Sequence, residues 1–82
     1  MKEIIRKILK DHAHLSRAVD LLDDASDLYN AGMTSHSSVV LMLALENEFD
    51  VEFPADLLNR DVFQSIDSIA SVLDRMGVQQ PA

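Results

Sequence analysis

Apolar residues recurring at helical spacing divide this 82-residue chain into helices, and that spacing limits its fold more than any other feature. A first helix is predicted from about Lys2 to His14, with Ile4, Ile5, Ile8 and Leu9 on one face and Arg6, Lys7 and Lys10 away from it. Glu3 stands one helical turn before Lys7, the favourable order for an ion pair along a helix. From Leu15 to Gly32 the pattern loosens. Asp20, Asp23, Asp24, Ser26, Asp27 and Asn30 punctuate Val19, Leu21, Leu22, Leu28 and Tyr29. This reads as a long connection with its apolar residues pinned back onto the core, and long loops in small domains often carry function.

Gly32 ends that connection, and Thr34 or Ser35 can cap a second helix ending near Phe49. Leu41, Leu45 and Phe49, with Met42, form its inward stripe. Val39, Val40 and Leu43 are left facing partly outward, an excess of apolar surface that marks a docking face. Pro54 stops the helix from continuing through Glu52 and Phe53. Ala55 to Arg60 is predicted as a short helical piece carrying Leu57 and Leu58. Ser65 caps a last helix with Ile66, Ile69, Ala70, Val72 and Leu73 inward; Gly77 stops it, and Gln79 to Ala82 should fray. The expected fold is all-α: a small four-helix bundle, three main helices plus one short helix, with a long loop between the first two. Residues 1–82 are expected to form a single domain, being too few for two independent cores.

Composition narrows the function. Apolar residues make up 48% of the chain, ample for a folded core. Without cysteine, disulfide staples and thiol catalysis are excluded. No stretch approaches the roughly 20 apolar residues of a membrane span. The N-terminus lacks the apolar core of a secretion signal, so a cytoplasmic protein is expected. Charge is uneven: the first ten residues carry a local +3, and everything after Lys10 sums to −10, with Arg17, Arg60 and Arg75 as its cations. That surface repels nucleic-acid phosphates and anionic lipid headgroups. It serves solubility, or it steers the domain toward partners with basic patches.

The segment from Ala31 to Ser38 is where chemistry can reside. A serine just past a glycine, at the start of a helix, has free backbone N–H groups and the positive end of the helix dipole beside it. Such a place suits a phosphate ester; equally, Thr34 and Ser35 can be plain helix caps. Other chemistries fail on spacing. Gly32 and Ser35 do not match the Gly-x-Ser-x-Gly elbow of a hydrolase, and a chain this small has little room for an oxyanion hole. The aspartates from Asp20 to Asp27 lack the central glycine and closing glutamate of a calcium loop. His12 and His14 would face different sides of a helix, so no metal site is expected.

Asp27-Leu28, Gly32, Ser35 and the run Leu45-Glu46-Asn47-Glu48-Phe49-Asp50-Val51-Glu52-Phe53-Pro54 together resemble the acyl carrier protein family, most strongly over residues 27–73. Aligning Leu45 to Pro54 without a gap puts Ser35 on the family's modified serine. The resemblance implies a carrier, not an enzyme. Ser35 would accept 4′-phosphopantetheine, derived from coenzyme A, from a phosphopantetheinyl transferase, and a cargo would ride as a thioester on the arm. The implied docking residues are His36, Val39, Val40, Leu43 and Glu46. Thr34 stands where the family has aspartate and His36 where it has leucine, while Val40 and Asn47 replace positions that are acidic in fatty-acid carriers. These departures resemble the aminoacyl carriers loaded by ligases similar to aminoacyl-tRNA synthetases. A fatty-acid, polyketide or nonribosomal-peptide carrier is the alternative within the family. A helical interaction module without a prosthetic group, of the death-domain or sterile-alpha-motif kind, is the alternative outside it. The expected carrier is a monomer, binds no nucleic acid or membrane, and keeps a short aminoacyl cargo outside its core.

Overall fold

The computed structural model describes residues 1–13, 15, 16 and 18–78. Its elements are three α-helices, α1 (Lys2–His12), α2 (Ser35–Phe49) and α3 (Ile66–Arg75), and two single 3-10 turns, Val19–Leu21 and Ala55–Leu57. The all-α expectation holds. The short fourth helix is only the second 3-10 turn, and it stops at Leu57 rather than Arg60. Asn59 explains the early stop: its Oδ1 accepts the Val62 N–H at 3.2 Å, which starts a separate turn. The first helix ends at His12; the expected end at His14 and the fraying of Gln79–Ala82 fall outside the described residues.

α1 packs against both α2 and α3. Ile5, Ile8 and Leu9 of α1, Leu41 and Leu45 of α2, and Ile66, Ile69, Val72 and Leu73 of α3 are buried in one core. Each large side chain fully buried there contributes about 1.5–3 kcal/mol, an upper bound because an unfolded chain already hides some surface. Of the expected α2 stripe, Leu41 and Leu45 are enclosed, whereas Met42 and Phe49 are half-buried. Ser65 caps α3 as expected: its Oγ accepts the Ser68 N–H at 3.0 Å, and the Ser68 Oγ accepts the Ser65 N–H at 3.0 Å. Gly77, at φ +87°, ends it.

The long connection is held by specific contacts, two of which correct the sequence reading. Arg6 is half-buried rather than turned wholly to solvent. It reaches along α1, where Nη1 donates to the Val19 carbonyl at 2.9 Å and Nη2 to Asp24 Oδ1 at 2.8 Å. Lys2 Nζ lies 2.7 Å from Asp67 Oδ1 and 3.5 Å from Asp24 Oδ2. The N-terminal cations therefore tie α1 to the loop and to α3. The expected Glu3–Lys7 pair is absent among the described residues; both side chains are exposed, where holding such a pair gains little. Leu21, expected to pin the loop, is 78% exposed, because the 3-10 turn sends Val19 and Leu22 inward and Leu21 out.

Further on, Asp27 Oδ1 accepts the Tyr29 N–H at 2.9 Å and the Asn30 N–H at 3.3 Å, closing a turn around buried Leu28. The Leu28 N–H donates to the Gln64 carbonyl at 2.7 Å, fixing this turn to the segment before α3. Gly32 comes next, at φ +112°. A Cβ there would sit 2.8 Å from Ser16 Oγ and 2.9 Å from Ser16 N, so glycine is required twice, by conformation and by space.

Gly32→Ala should therefore cost about 2–3 kcal/mol, a drop in melting temperature of about eight degrees or more by roughly 4–8 °C per kcal/mol in a domain this size. A melting temperature within two degrees or so of wild type would contradict the close approach to Ser16. For pH, the hydrogen bond from Arg6 holds the Asp24 carboxyl below its ordinary pKa. Its contribution is present above about pH 4, where an unfolded aspartate ionises, and is lost as pH falls through the folded value. The hydrogen bond to Asp67 raises Lys2, whose contribution is complete below about pH 10 and is lost as pH rises through its folded value. Asp24→Asn should therefore lower thermal stability at neutral pH and shrink the gap to wild type on acidification. A gap that stays constant down to strongly acidic pH would contradict the pairing.

Candidate functional site

Hydroxyl groups crowd the start of α2, and the structure gives each a different task. Thr34 has extended backbone (φ −105°, ψ 171°) and is the N-cap, its Oγ1 accepting the Ser37 N–H at 3.1 Å and donating to Ser37 Oγ at 3.1 Å. Ser38 Oγ donates back to the Ser35 carbonyl at 2.8 Å. Ser35 is the first residue of α2 and is exposed, and its hydroxyl has no intramolecular partner among the described residues. Of the two caps the sequence allows, the structure takes Thr34.

The electrostatics at this hydroxyl favour an anion. The opening amides of α2 point out of the helix, and its first turn holds no acidic side chain to complement the dipole. Backbone geometry delivers the hydroxyl there: the Met33 N–H bonds the Leu28 carbonyl at 3.0 Å, and Met33 is buried, so the chain is anchored immediately before the cap.

Beside Ser35 lies an open cleft of about 260 Å³ between α2 and the 58–63 segment. Val39, Met42, Leu58 and Phe63 supply its apolar walls, and Tyr29 and Arg60 its polar rim. The Arg60 guanidinium carbon lies over the Tyr29 ring, 4.2 Å from its centroid. Sequence reasoning missed this wall. Its one advance signal was Arg60 as a rare cation in an acidic stretch.

The five residues expected to dock partners occupy different settings. His36 is exposed and does not line the cleft. Val39 and Leu43 are 52% and 56% exposed, one helical turn apart, while Val40 is half-buried. Leu58, at 46% exposure, is a further large apolar residue on the surface, just beyond the 3-10 turn rather than within a helix as the sequence suggests. Glu46 has an internal task as well: its Oε2 accepts the Phe53 N–H at 2.8 Å, holding the chain after α2 so that the Phe53 and Phe63 rings meet at 5.7 Å.

The division of labour among these hydroxyls has a thermodynamic signature. Thr34→Ala should cost about 1 kcal/mol, whereas Ser35→Ala should lie within about 0.5 kcal/mol of wild type. Denaturant unfolding of the two variants checks this, and the reverse ranking would mean that Ser35 is the cap.

The phosphopantetheine attachment site is the family description whose model matches residues 2–75. The aminoacyl carrier protein of Agrobacterium fabrum is 46% identical over 78 residues, which cover 90% of this chain and 94% of that protein. One chain in the crystal structure of an engineered Bradyrhizobium japonicum glycine:carrier protein ligase, complexed with carrier protein from Agrobacterium tumefaciens and AMP, has a TM-score of 0.88 at 46% identity, over 90% of this chain and 99% of that one. Another, from the Bradyrhizobium japonicum ligase complexed with glycylated carrier protein, has a TM-score of 0.74 at 28% identity, over 85% and 93%. With the family model spanning nearly the whole chain and an aminoacyl carrier this similar, the protein belongs to the family of carrier proteins that bear a phosphopantetheine attachment site.

Proposed function

We propose that this protein carries an aminoacyl group as a thioester on a phosphopantetheine arm attached to Ser35, and presents it to partner enzymes as a single carrier domain and a monomer. The observation that carries the assignment is the uncommitted, exposed Ser35 hydroxyl among the hydrogen-bonded hydroxyls of Thr34, Ser37 and Ser38. The residues present fit the group. A phosphodiester on that oxygen meets outward-pointing amides and the positive end of α2, with no acidic side chain in the first turn to repel it. When attached, the arm supplies the thiol that holds the cargo's carbonyl. The chain itself contributes an anchoring oxygen, an anion-tolerant setting and a docking face; it performs no bond chemistry of its own.

The loading partner is a ligase similar to an aminoacyl-tRNA synthetase, a reading supported by the likeness to carriers bound to glycine:carrier protein ligases. Val39 and Leu43 form the apolar centre of the docking face, with His36, Val40 and Glu46 around it. Such a small patch suits a brief encounter, which a carrier visiting several enzymes needs. Val40 and Asn47, in place of acidic residues, make this face less suited to enzymes that recognise carriers by charge. A cytoplasmic location is part of this reading, since coenzyme A and ATP are available there. A short aminoacyl cargo has little apolar area to gain from entering the core and stays outside.

After incubation with a phosphopantetheinyl transferase and coenzyme A, then with ATP, an amino acid and a glycine:carrier protein ligase, intact mass should rise in two steps: one arm, then one aminoacyl group. Ser35→Ala should show neither step, and an arm on Ser35→Ala would overturn the assignment. Val39→Asp and Leu43→Asp should each accept the arm while raising the ligase's KM for the carrier roughly tenfold, the loss of about 1.4 kcal/mol of docking. Unchanged loading of both variants would place docking elsewhere.

A further inference from the structure

We propose that Arg60 pairs with the phosphodiester joining the arm to Ser35, so that the first, branched segment of the arm rests in the neighbouring cleft rather than in solvent. This rests on Ser35 being the attachment point. Three observations carry it.

Arg60 and Ser35 both line the same cleft, which holds only about 260 Å³, so a cation and the anchoring serine border one small volume. Arg60 is also available. Lys2, Arg6 and Lys10 are engaged with Asp67, Asp24 and Asp20, whereas Arg60 has no carboxylate within ion-pair distance among the described residues. Its guanidinium carbon lies over the Tyr29 ring, 4.2 Å from the centroid, and a guanidinium carries five N–H donors for an acceptor. A phosphodiester matches those donors, because two oxygens accept two parallel N–H bonds. On a chain of net charge −7, a nearby unpaired cation favours a further anion.

The cleft walls then match the next part of the arm beyond the phosphate, a carbon bearing two methyl groups. Val39, Met42, Leu58 and Phe63 offer those methyls an apolar surface. The volume lies below the roughly 300 Å³ at which small-molecule pockets begin. The cleft therefore takes the proximal segment and leaves the distal amides, the thiol and the cargo outside. An exposed ion pair is weak and exchanges readily, so the arm can leave the cleft when a partner docks. Because Val39 and Leu58 are both partly exposed cleft residues, a partner seated on α2 competes with the resting arm for the same apolar surface.

The test compares isotope-labelled apo-protein with the same protein after transferase and coenzyme A treatment, its mass gain confirmed first. On modification, the Arg60 Nε–Hε and Tyr29 ring signals should shift, and the arm's paired methyls should show nuclear Overhauser contacts to Met42 and Leu58. In modified Arg60→Gln those contacts should be lost and the phosphorus signal should move toward that of free phosphopantetheine, while the amide spectrum retains its dispersion. A modified wild type whose Arg60 and Tyr29 signals match the apo-protein, with arm methyls as narrow as in the free compound, overturns this inference and leaves the carrier reading intact. Absence of any mass gain removes both.

Discussion

The first amides of a helix need acceptors, and in this protein Thr34 supplies the side-chain one. That single hydrogen bond, from the Ser37 N–H to Thr34 Oγ1 at 3.1 Å, frees the next hydroxyl from the task it would otherwise perform. Ser35 is thereby presented rather than used. Several upstream contacts set the position of this cap. Asp27 closes a turn around Leu28, Leu28 is tied to Gln64, Gly32 passes against Ser16 at a spacing that admits no side chain, and Met33 is buried one residue before Thr34. A loop that would be costly to order by itself is held because its apolar residues share the core of the three helices.

The same economy appears on the other side of the cleft. Glu46 lies on the helix that starts with Ser35, yet its carboxylate fixes the backbone at Phe53. Phe53 then meets Phe63, and the segment between them carries Leu58 and Arg60 to the cleft. Asp50, with φ +53°, accepts a left-handed conformation to turn the chain out of α2. The cleft beside the serine is therefore built by contacts at the far end of α2, not only by residues next to the site. Charge is divided in a similar way: Lys2, Arg6 and Lys10 are committed to the loop and α3, which leaves the rest of the surface strongly acidic.

Helix positions, caps and the inward faces of α1 and α3 were legible in the sequence because they depend on local spacing and on residues such as Ser65 and Gly77, whose roles are short-range. The proposed attachment at Ser35 was suggested by the family resemblance and by its place after Gly32. What the sequence concealed depends on contacts between distant residues. Arg6 looks like a surface residue of a helix until the loop folds back to offer it the Val19 carbonyl and Asp24. Leu21 and Leu22 look alike until a 3-10 turn separates them into outside and inside. Whether Thr34 or Ser35 would be the cap was undecidable from composition, since either residue type performs the task. The expected short fourth helix stops at Leu57 rather than Arg60 for a local reason that went unread: Asn59 offers its own side chain to the Val62 amide.

Because Thr34, Ser37 and Ser38 surround Ser35 with chemically similar hydroxyls, the carrier assignment depends on which oxygen bears the group. The most direct measurement is peptide fragmentation of the purified holo-protein with the arm retained, resolving residues 33 to 38 one by one. The added mass should lie on Ser35 alone, with Thr34, Ser37 and Ser38 unmodified. The added mass on Ser37 or Ser38 would contradict this, because those oxygens are already committed to the hydrogen bonds that begin the helix.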